Sequence, residues 1–260
     1  MKFMISRENL LAPLNLVAGV VERRQTLPIL SNVLMVLDNE RLSFTGTDLE
    51  VELIGRAVIS GAQGNIEVTV PARKLLDICK SLPEDSQIEI VVEENKVKLK
   101  SGRSRFTLSS LPASDFPSIE DSIGTSQLIL KQRMLRRLFD RTGFAMAQQD
   151  VRYYLNGMLI EISNGQLRVV ATDGHRLAMC SQSIEVSDET STQVIIPRKG
   201  VLELSRLLSG DGDEEVSAVI GTNHIRVTSE KFTFTSKNFK KISYFILSVV
   251  SKLINHLGKI

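Results

Sequence analysis

The chain has 260 residues, of which 42% are hydrophobic and 24% charged, and its formal net charge is +2. This composition is typical of a globular protein with room for two domains of about 100–150 residues, and it excludes low-complexity and collagen-like chains. No apolar run reaches the roughly 18 residues that cross a bilayer. Cys79 and Cys180 lack the paired spacing of metal ligands. We therefore expect free thiols, no metal or other cofactor, and a cytoplasmic location.

The first half of the chain predicts strands around two helices. Apolar residues recur every three or four positions over residues 7–18, after the capping residue Ser6, and over residues 72–82, after Pro71. Apolar runs between turn residues predict strands at residues 2–5, 32–37, 41–45, 50–59, 66–70, 87–92, 96–101 and 106–109. Each helix is apolar on one side only, so we expect both helices to pack on a sheet.

The second half repeats this order after a proline-containing linker, residues 111–126, with a boundary near Gly124. Helices are predicted at residues 131–141 and 197–208, and strands at residues 127–130, 156–161, 166–171, 175–184, 216–220, 224–228 and 231–236. The prediction is an α+β chain with domains at residues 1–124 and 125–237, each with two helices packed on antiparallel sheets.

Residues 238–260 have no counterpart in the first half, contain no acidic residue and place their apolar residues at helical spacing. Three interpretations of this tail stay open. It is an appended amphipathic helix, a helix that lies on a membrane surface, or a replaced or out-of-frame terminus.

The two halves match at a steady offset. An apolar strand runs into Thr-Asp at Asp48 and again at Asp173, 125 residues later. Val70-Pro71 corresponds to Ile196-Pro197, and residues 105–109 correspond to residues 231–235, at offsets of 125 to 126. Several matches at one offset indicate two copies of one domain.

Positive charge is concentrated in the predicted helices. They carry net charges of 0, +2, +4 and +2 in chain order, and the residues from Lys237 onward add five lysines and no acid. Because the whole chain carries only +2, the remaining residues carry −11. This segregation indicates one basic surface for a polyanion such as nucleic acid, the alternative being ordinary solvated helix faces.

No catalytic motif is present in the sequence. It lacks a glycine-rich phosphate loop, a nucleophilic serine elbow and a histidine pair at metal-ligand spacing. Asp48 and Asp173 are the one candidate pair of carboxylates, as in a metal-dependent nuclease. Each follows a threonine at the end of a strand, which favours an Asx turn. We therefore expect no enzymatic activity.

Five stretches resemble the bacterial DNA polymerase III β subunit family, the sliding clamps. They are ATDGHRLA at residues 171–178, QDVRYYLNGM at 149–158, TLPIL at 26–30, VPARK at 70–74 and RSRF at 103–106. The resemblance covers residues 1–237. Clamps of this family have three such domains per chain, and two chains close head to tail into a ring whose helices line the hole around duplex DNA. The resemblance implies a non-catalytic processivity factor that tethers the replicative polymerase to DNA.

The resemblance also implies where this chain binds DNA and proteins. The residues expected to contact DNA are Arg24, Arg73, Gln149, Tyr153 and Tyr154, although spacing alone favours strand core for the two tyrosines. The residues expected to form part of a hydrophobic cleft are Leu155, Thr172, Gly174, His175, Arg176 and Leu177. Short apolar peptides of the polymerase catalytic subunit, the clamp loader and repair polymerases bind in that cleft. The residues expected at the subunit interface are Lys74, Arg103, Arg105, Phe106 and Leu108.

The sequence departs from the family after Lys237, where the family continues into a Gly, aromatic, Pro, Asp, Tyr stretch and a third domain. We expect a C-terminally truncated clamp whose cleft is half built. Three outcomes stay open: a working replication clamp, a fragment that acts only as a partial partner-binding module, and a ring of three two-domain chains.

Overall fold

The computed structural model describes residues 1–21, 27–59, 64–119, 126–186, 191–210, 212–221 and 223–238. The chain divides into two compact units, Met1–Asp121 with Thr228–Thr235, and Ser122–Val227 with Ser236–Ile260. The predicted boundary at Gly124, the DNA-contact residue Arg24 and the tail from residue 239 onward lie outside the described residues. The domain bounds therefore stay predictions.

The first unit contains two helices and strands of two antiparallel sheets. Its elements are β1 (Lys2–Ser6), α1 (Arg7–Val17), β2 (Asn32–Asp38), β3 (Arg41–Thr47), β4 (Val51–Val58), β5 (Asn65–Pro71), α2 (Ala72–Ser81), β6 (Gln87–Glu93), β7 (Lys96–Ser101) and β8 (Ser104–Ser109). The antiparallel strand orders are β1-β6-β7-β8 and β5-β2-β3-β4. Both predicted helices are confirmed to within one residue at each end.

Helix α1 packs closely on β4. Its buried side chains are Leu10, Leu14 and Val17, and the Ser6 hydroxyl accepts a hydrogen bond from the backbone N–H of Asn9 at 3.2 Å, which confirms the predicted cap. A Cβ atom at Gly55 would lie 2.6 Å from the carbonyl oxygen of Pro13. Only glycine lets the helix approach the strand this closely, so Gly55 sets the packing distance.

The second unit repeats the order of the first. Its elements are β9 (Ser126–Lys131), α3 (Gln132–Thr142), β10 (Gly157–Ser163), β11 (Gln166–Thr172), β12 (Leu177–Ser183), β13 (Thr192–Pro197), α4 (Arg198–Leu207), β14 (Glu215–Ile220) and β15 (His224–Thr228). One antiparallel sheet has the order β12-β11-β10-β13, and β9 pairs antiparallel with β14.

The strand registers confirm the internal repeat. Asn32 pairs with Pro71 in the first unit, and Gly157 pairs with Pro197 in the second, so the strand before each second helix has the same partner. The sequence analysis did not predict β13 as a strand, because its apolar run is only Val194 to Ile196. Two packed copies of strands and helices confirm the α+β prediction.

The last strand is β16 (Phe232–Lys237), and the end of the second domain at residue 237 stays a prediction. Residues Thr228–Thr235 are grouped with the first unit. Arg56 of β4 explains this, because its backbone N–H donates to the Lys231 carbonyl oxygen at 2.9 Å and its Nη2 donates to Thr233 Oγ1 at 2.6 Å. Within the described residues, no helix is long and apolar enough to span a membrane.

Candidate nucleic-acid and partner sites

The Thr-Asp motif forms the same turn in both units. In the second unit the Asp173 Oδ1 atom accepts from the backbone N–H groups of His175 and Arg176, both at 3.0 Å. The Thr172 hydroxyl accepts from Gly174 N at 3.1 Å and donates to the Arg176 carbonyl oxygen at 2.7 Å. These bonds confirm the predicted Asx turn and place Gly174, His175 and Arg176 directly before β12. They also lower the pKa of Asp173, chiefly through the His175 and Arg176 backbone N–H groups.

Asp48 forms the equivalent turn in the first unit. Its Oδ1 atom accepts from Glu50 N at 2.9 Å and from Val51 N at 2.7 Å, and Thr47 Oγ1 donates to the Val51 carbonyl oxygen at 2.9 Å. Each carboxylate is thus engaged by its own turn. Among the described residues, no group of three or more His, Cys, Asp or Glu side chains is arranged to hold a metal ion.

A cluster of apolar side chains lies beside the second turn, and we call it the apolar pocket. Its buried members are Ala147, Leu155, Leu159, Val170 and Ile195, and the half-buried side chains of Tyr154 and Leu177 pack against them. Leu155 is buried within this cluster and Leu177 packs against it, and the place of both in a peptide cleft stays a prediction. Thr172 contributes through its turn rather than through an apolar contact.

Two arginines lie beside the second turn, and we call these arginines and the side chains that contact them the rim. Asp150 accepts from Arg152 Nε at 3.0 Å and from Arg152 Nη2 at 2.9 Å, and these bonds lower the pKa of Asp150 to about 2. A Cβ atom at Gly174 would lie 3.0 Å from Arg152 Nη2. Arg176 donates to Asp173 Oδ2 at 2.9 Å, and its guanidinium carbon lies 5.6 Å from the centre of the Phe144 ring.

The sequence analysis missed Arg152, Asp150 and Phe144 as rim residues. Asp150 and Arg152 are two positions apart, and that spacing in a polar loop was the one signal for their ion pair. No local signal links Phe144 to Arg176, because 32 residues separate them in the sequence. The rim forms only when the chain folds.

The loop before the pocket presents aromatic and polar side chains to solvent. Asp150 N donates to Asn156 Oδ1 at 2.9 Å, and Asn156 Nδ2 donates back to the Asp150 carbonyl oxygen at 2.8 Å. This clasp leaves Gln149 exposed with φ of 57° and Val151 96% exposed at the tip. The two hydrogen bonds between Asp150 and Asn156 therefore hold the loop, and its tip is exposed to solvent.

The two predicted DNA-contact tyrosines lie in a 3₁₀ turn, Tyr153–Leu155. Tyr153 is 54% exposed and meets Tyr154 edge to face, with ring centroids 5.8 Å apart. The spacing-based interpretation as strand core is wrong for this pair, because the turn ends before β10 begins at Gly157. Tyr153 has the exposed face that stacking on a base requires.

Helix α3 carries a stripe of exposed arginines that the sequence analysis counted but did not single out. Arg133, Arg137 and Arg141 follow one another at intervals of four and share one helix face. Arg137 and Arg141 form no ion pair within the described residues, and Arg133 reaches only to 4.0 Å from Asp213 Oδ1. Arg136, by contrast, donates to Asp140 at 3.3 Å and to the Leu208 carbonyl oxygen at 2.9 Å.

In the first unit, α2 presents Arg73 and Lys74 to solvent. Arg73 Nη2 donates to the Val21 carbonyl oxygen at 3.2 Å, which holds its guanidinium beside the end of the segment that follows α1. Each unit thus has exposed basic residues on a helix that follows a strand.

The predicted interface residues fall on two elements. Lys74 is on α2, whereas Arg103, Arg105, Phe106 and Leu108 lie on or beside β8, which forms one edge of its sheet. Arg103 and Arg105 are exposed and Phe106 is half-buried. Leu108 is 5% exposed and pairs with Val97, and its place at a subunit interface stays a prediction. The backbone of β8 lies at the edge of this sheet, where it can pair with another strand.

Comparisons with known proteins agree with this arrangement. Family models described as the DNA polymerase III beta subunit match the chain, the N-terminal domain over residues 1–120 and the central domain over residues 129–240. The chain is 63% identical to the beta sliding clamp of Pseudomonas aeruginosa over 237 residues, which cover 91% of this chain and 64% of that relative. It therefore spans slightly less than two thirds of the length of that relative.

Solved structures show the same fold. A crystal structure of the DNA polymerase III subunit beta from Pseudomonas aeruginosa has a TM-score of 0.90 at 60% identity, and covers 95% of this chain and 68% of that one. A second structure of the clamp from the same organism, bound to griselimycin, has a TM-score of 0.89 at 62% identity, and covers 94% of this chain and 66% of that one. Both units therefore have the clamp fold, and the chain belongs to the family of the DNA polymerase III β subunit, the bacterial β sliding clamps.

Proposed function

We propose that this chain acts as a sliding clamp, a processivity factor that tethers the replicative DNA polymerase to duplex DNA. The observation that carries the proposal is the row of exposed arginines on α3, two of which have no ion pair within the described residues. The role is that of an accessory, non-catalytic subunit of DNA polymerase III. Its place of action is the cytoplasm, where it meets the DNA and the polymerase of a bacterial cell.

A clamp needs attraction to DNA without recognition of its sequence. Guanidinium groups attract phosphates over about one Debye length, roughly 8 Å at physiological salt, and phosphate contacts carry no sequence information. Successive arginines of the α3 row are about 6 Å apart along the helix axis, because an α-helix rises about 1.5 Å per residue. Such a row holds the backbone of a duplex and still permits sliding.

The salt dependence of duplex binding tests this part of the proposal. Replacing Arg137 and Arg141 by Gln should lower the slope of log affinity against log salt by about 0.9 for each phosphate that the variant no longer neutralises. The matched control is Arg136→Gln, because Arg136 is already bonded to Asp140 and to the Leu208 carbonyl oxygen. An equal change of slope in the control, or binding that does not depend on salt, would contradict the proposed DNA contact.

The pocket beside the Thr172–Asp173 turn is the proposed site for partner peptides. A short apolar peptide from the polymerase catalytic subunit, the clamp loader or a repair polymerase would place a side chain against Leu155 and Leu177. The griselimycin complex of the Pseudomonas aeruginosa clamp supplies a probe. Titration calorimetry should detect griselimycin binding to this chain, with at least ten-fold weaker binding for Leu177→Asp and unchanged binding for the exposed Val151→Asp control.

The second candidate function is a partner-binding module that does not encircle DNA. It is favoured by one observation, the apolar cluster around Leu155 and Leu177, because binding of an apolar peptide there needs no closed ring. In the ring of the family, the β8 edge with Arg105 and Phe106 is the proposed subunit interface. Binding of griselimycin without retention on circular DNA would select this second function.

A further inference from the structure

The two units present equivalent sheet faces. In the first unit, Leu34 pairs with both Thr45 and Thr69, and Thr47 pairs with Glu52. Side chains at paired positions lie on the same side of a sheet, so these residues share one surface. We call Leu34, Thr45, Glu52 and Thr69 the repeat-one face.

The second unit has the same surface with different side chains. Leu159 pairs with both Val170 and Ile195, and Thr172 pairs with Leu177. We call Leu159, Val170, Leu177 and Ile195 the repeat-two face, which is part of the apolar pocket described above. The three polar residues of the repeat-one face, Thr45, Glu52 and Thr69, thus correspond to Val170, Leu177 and Ile195.

The polar residues of the repeat-one face hold a segment of the chain itself. The Thr69 hydroxyl accepts from Leu111 N at 3.0 Å and donates to the Leu111 carbonyl oxygen at 2.7 Å. The carboxylate of Glu52, which is only 5% exposed, accepts from Ile119 N at 3.0 Å. Residues 111–119, which the sequence analysis assigned to a linker, are thus fastened at both ends.

This segment crosses the sheet. Thr69 lies on β5 and Glu52 on β4, which are three strand spacings apart in the order β5-β2-β3-β4, or about 14 Å. Between the two fastened ends the chain makes a 3₁₀ turn, Ala113–Asp115, followed by Phe116, whose side chain is 9% exposed. Peptides that bind to protein surfaces are often held in the same way, by backbone hydrogen bonds and by one buried aromatic side chain.

The side chains that fasten the segment have no equivalents in the second unit. Ile195 and Leu177 have no atom that accepts a hydrogen bond, so the repeat-two face cannot hold a backbone N–H group at either position. The apolar repeat-two face instead favours contact with an apolar side chain of a bound peptide. The two faces are built for different occupants.

We propose that residues 111–119 are a resident peptide of the repeat-one face, reserved for it by Glu52 and Thr69, so that external apolar peptides bind only to the repeat-two face. The two units have equivalent sheet faces. If residues 111–119 occupy the repeat-one face, only the repeat-two face remains for partner peptides. The inference goes beyond the proposed function, because it concerns the groove to which no partner is assigned.

Amide hydrogen exchange followed by NMR tests the resident peptide directly. In the wild-type chain, the N–H groups of Leu111 and Ile119 should be protected, since each donates to a side chain of the sheet. Glu52→Leu introduces the residue of the second unit and should speed exchange at Ile119 by about ten-fold or more, because the variant has no charged acceptor for this N–H group. Phe116→Ala should speed exchange at both Leu111 and Ile119, although it removes neither acceptor.

The controls separate release of the segment from general damage. Glu50→Leu removes an exposed carboxylate from the same turn and should leave Ile119 exchange unchanged, and Val51 N should stay protected in every variant because it donates to Asp48. Ile119 exchange within two-fold of wild type in both Glu52→Leu and Phe116→Ala would overturn the proposal.

The second readout is the location of an added ligand. Griselimycin added to the wild-type chain should shift the NMR signals of the repeat-two face, including Leu159 and Ile195, and leave those of Leu34 and Thr69 in place. Equal shifts on both faces would overturn the assignment. If griselimycin binds to neither face, the proposed partner pocket fails, and the exchange rates of Leu111 and Ile119 still decide whether the resident peptide exists.

Discussion

The turns at Thr47-Asp48 and Thr172-Asp173 share their backbone and differ in their side chains. Each threonine bonds to the backbone two and four residues ahead, and each aspartate accepts two backbone N–H groups. The residue after the aspartate has a positive φ in both, 76° for Leu49 and 90° for Gly174. The hydrogen bonds of the threonine and the aspartate determine the turn conformation in both units. The residues after the turn differ, and they determine what each surface binds.

The difference is largest directly after the turn. In the first unit Val51 is fully buried and Glu52 fastens the chain's own segment, whereas in the second unit the exposed Arg176 and half-buried Leu177 border the pocket. One scaffold thus supports a closed face and a binding face. The predictions that follow change matched residues in the two units.

The largest expected effect comes from a buried leucine at the equivalent position of each unit. Leu30 and Leu155 are both 2% exposed and lie 125 residues apart. Replacing either by Ala should lower the free energy of unfolding by about 2–5 kcal/mol, because each change leaves a cavity. Urea unfolding of the two variants measures this. A decrease below about 1 kcal/mol for Leu155→Ala alone would show that Leu155 is not packed like its counterpart.

The second effect concerns the residue with positive φ. Gly174→Ala should destabilise the chain by about 1–3 kcal/mol, since it combines an unfavourable backbone conformation with displacement of Arg152. The matched control is Gly165→Ala, where φ is 68° but an added Cβ meets only the Ile184 carbonyl oxygen at 3.7 Å. In an Arg152→Ala background, the cost of Gly174→Ala should fall to that of the control. Equal costs with and without Arg152 would contradict the close approach of the guanidinium.

A smaller effect is expected in the titration of the rim. Bonds from Arg152 lower the pKa of Asp150 to about 2, so Arg152→Ala should return it towards its ordinary value near 4. Because the folded-state pKa is below the unfolded one, the ion pair stabilises the fold fully above pH 4, and this contribution disappears as the pH falls through about 2.

Carboxyl NMR shifts of Asp150 and Asp173 measure this titration. Asp173 is the internal control, since its pKa is lowered by the backbone N–H groups of His175 and Arg176 and by the Arg176 side chain rather than by Arg152. Arg152→Ala should therefore move the Asp150 titration only. An unchanged midpoint for Asp150 would show that Arg152 does not hold it in solution.

Much of the fold could be predicted from the sequence because its signals are local. Helical periodicity located α1 to α4, and Thr-Asp at the end of a strand predicted both turns. Strand β13 was missed because its apolar run is three residues long, and Tyr153 was assigned to a strand by spacing although it lies in a 3₁₀ turn. Local patterns do not distinguish these short elements.

The parts of the site that could not be predicted depend on contacts between distant residues. Arg152 reaches Gly174, Arg176 reaches Phe144, and Glu52 reaches Ile119, 67 positions away. Leu108 was expected at an interface from the family resemblance, whereas its 5% exposure follows from packing that the strand sequence alone does not show. Burial of this kind is a property of the folded unit rather than of the strand.

The central claim is that this chain works as a clamp around DNA, and the most direct test is its mass on circular DNA. Light scattering should be recorded for the purified chain alone, with nicked circular DNA, and after that DNA is linearised. The account predicts a closed assembly of several chains that stays on the circle and slides off the linear form. A folded monomer retained by neither DNA would contradict it and leave the partner-binding module as the function.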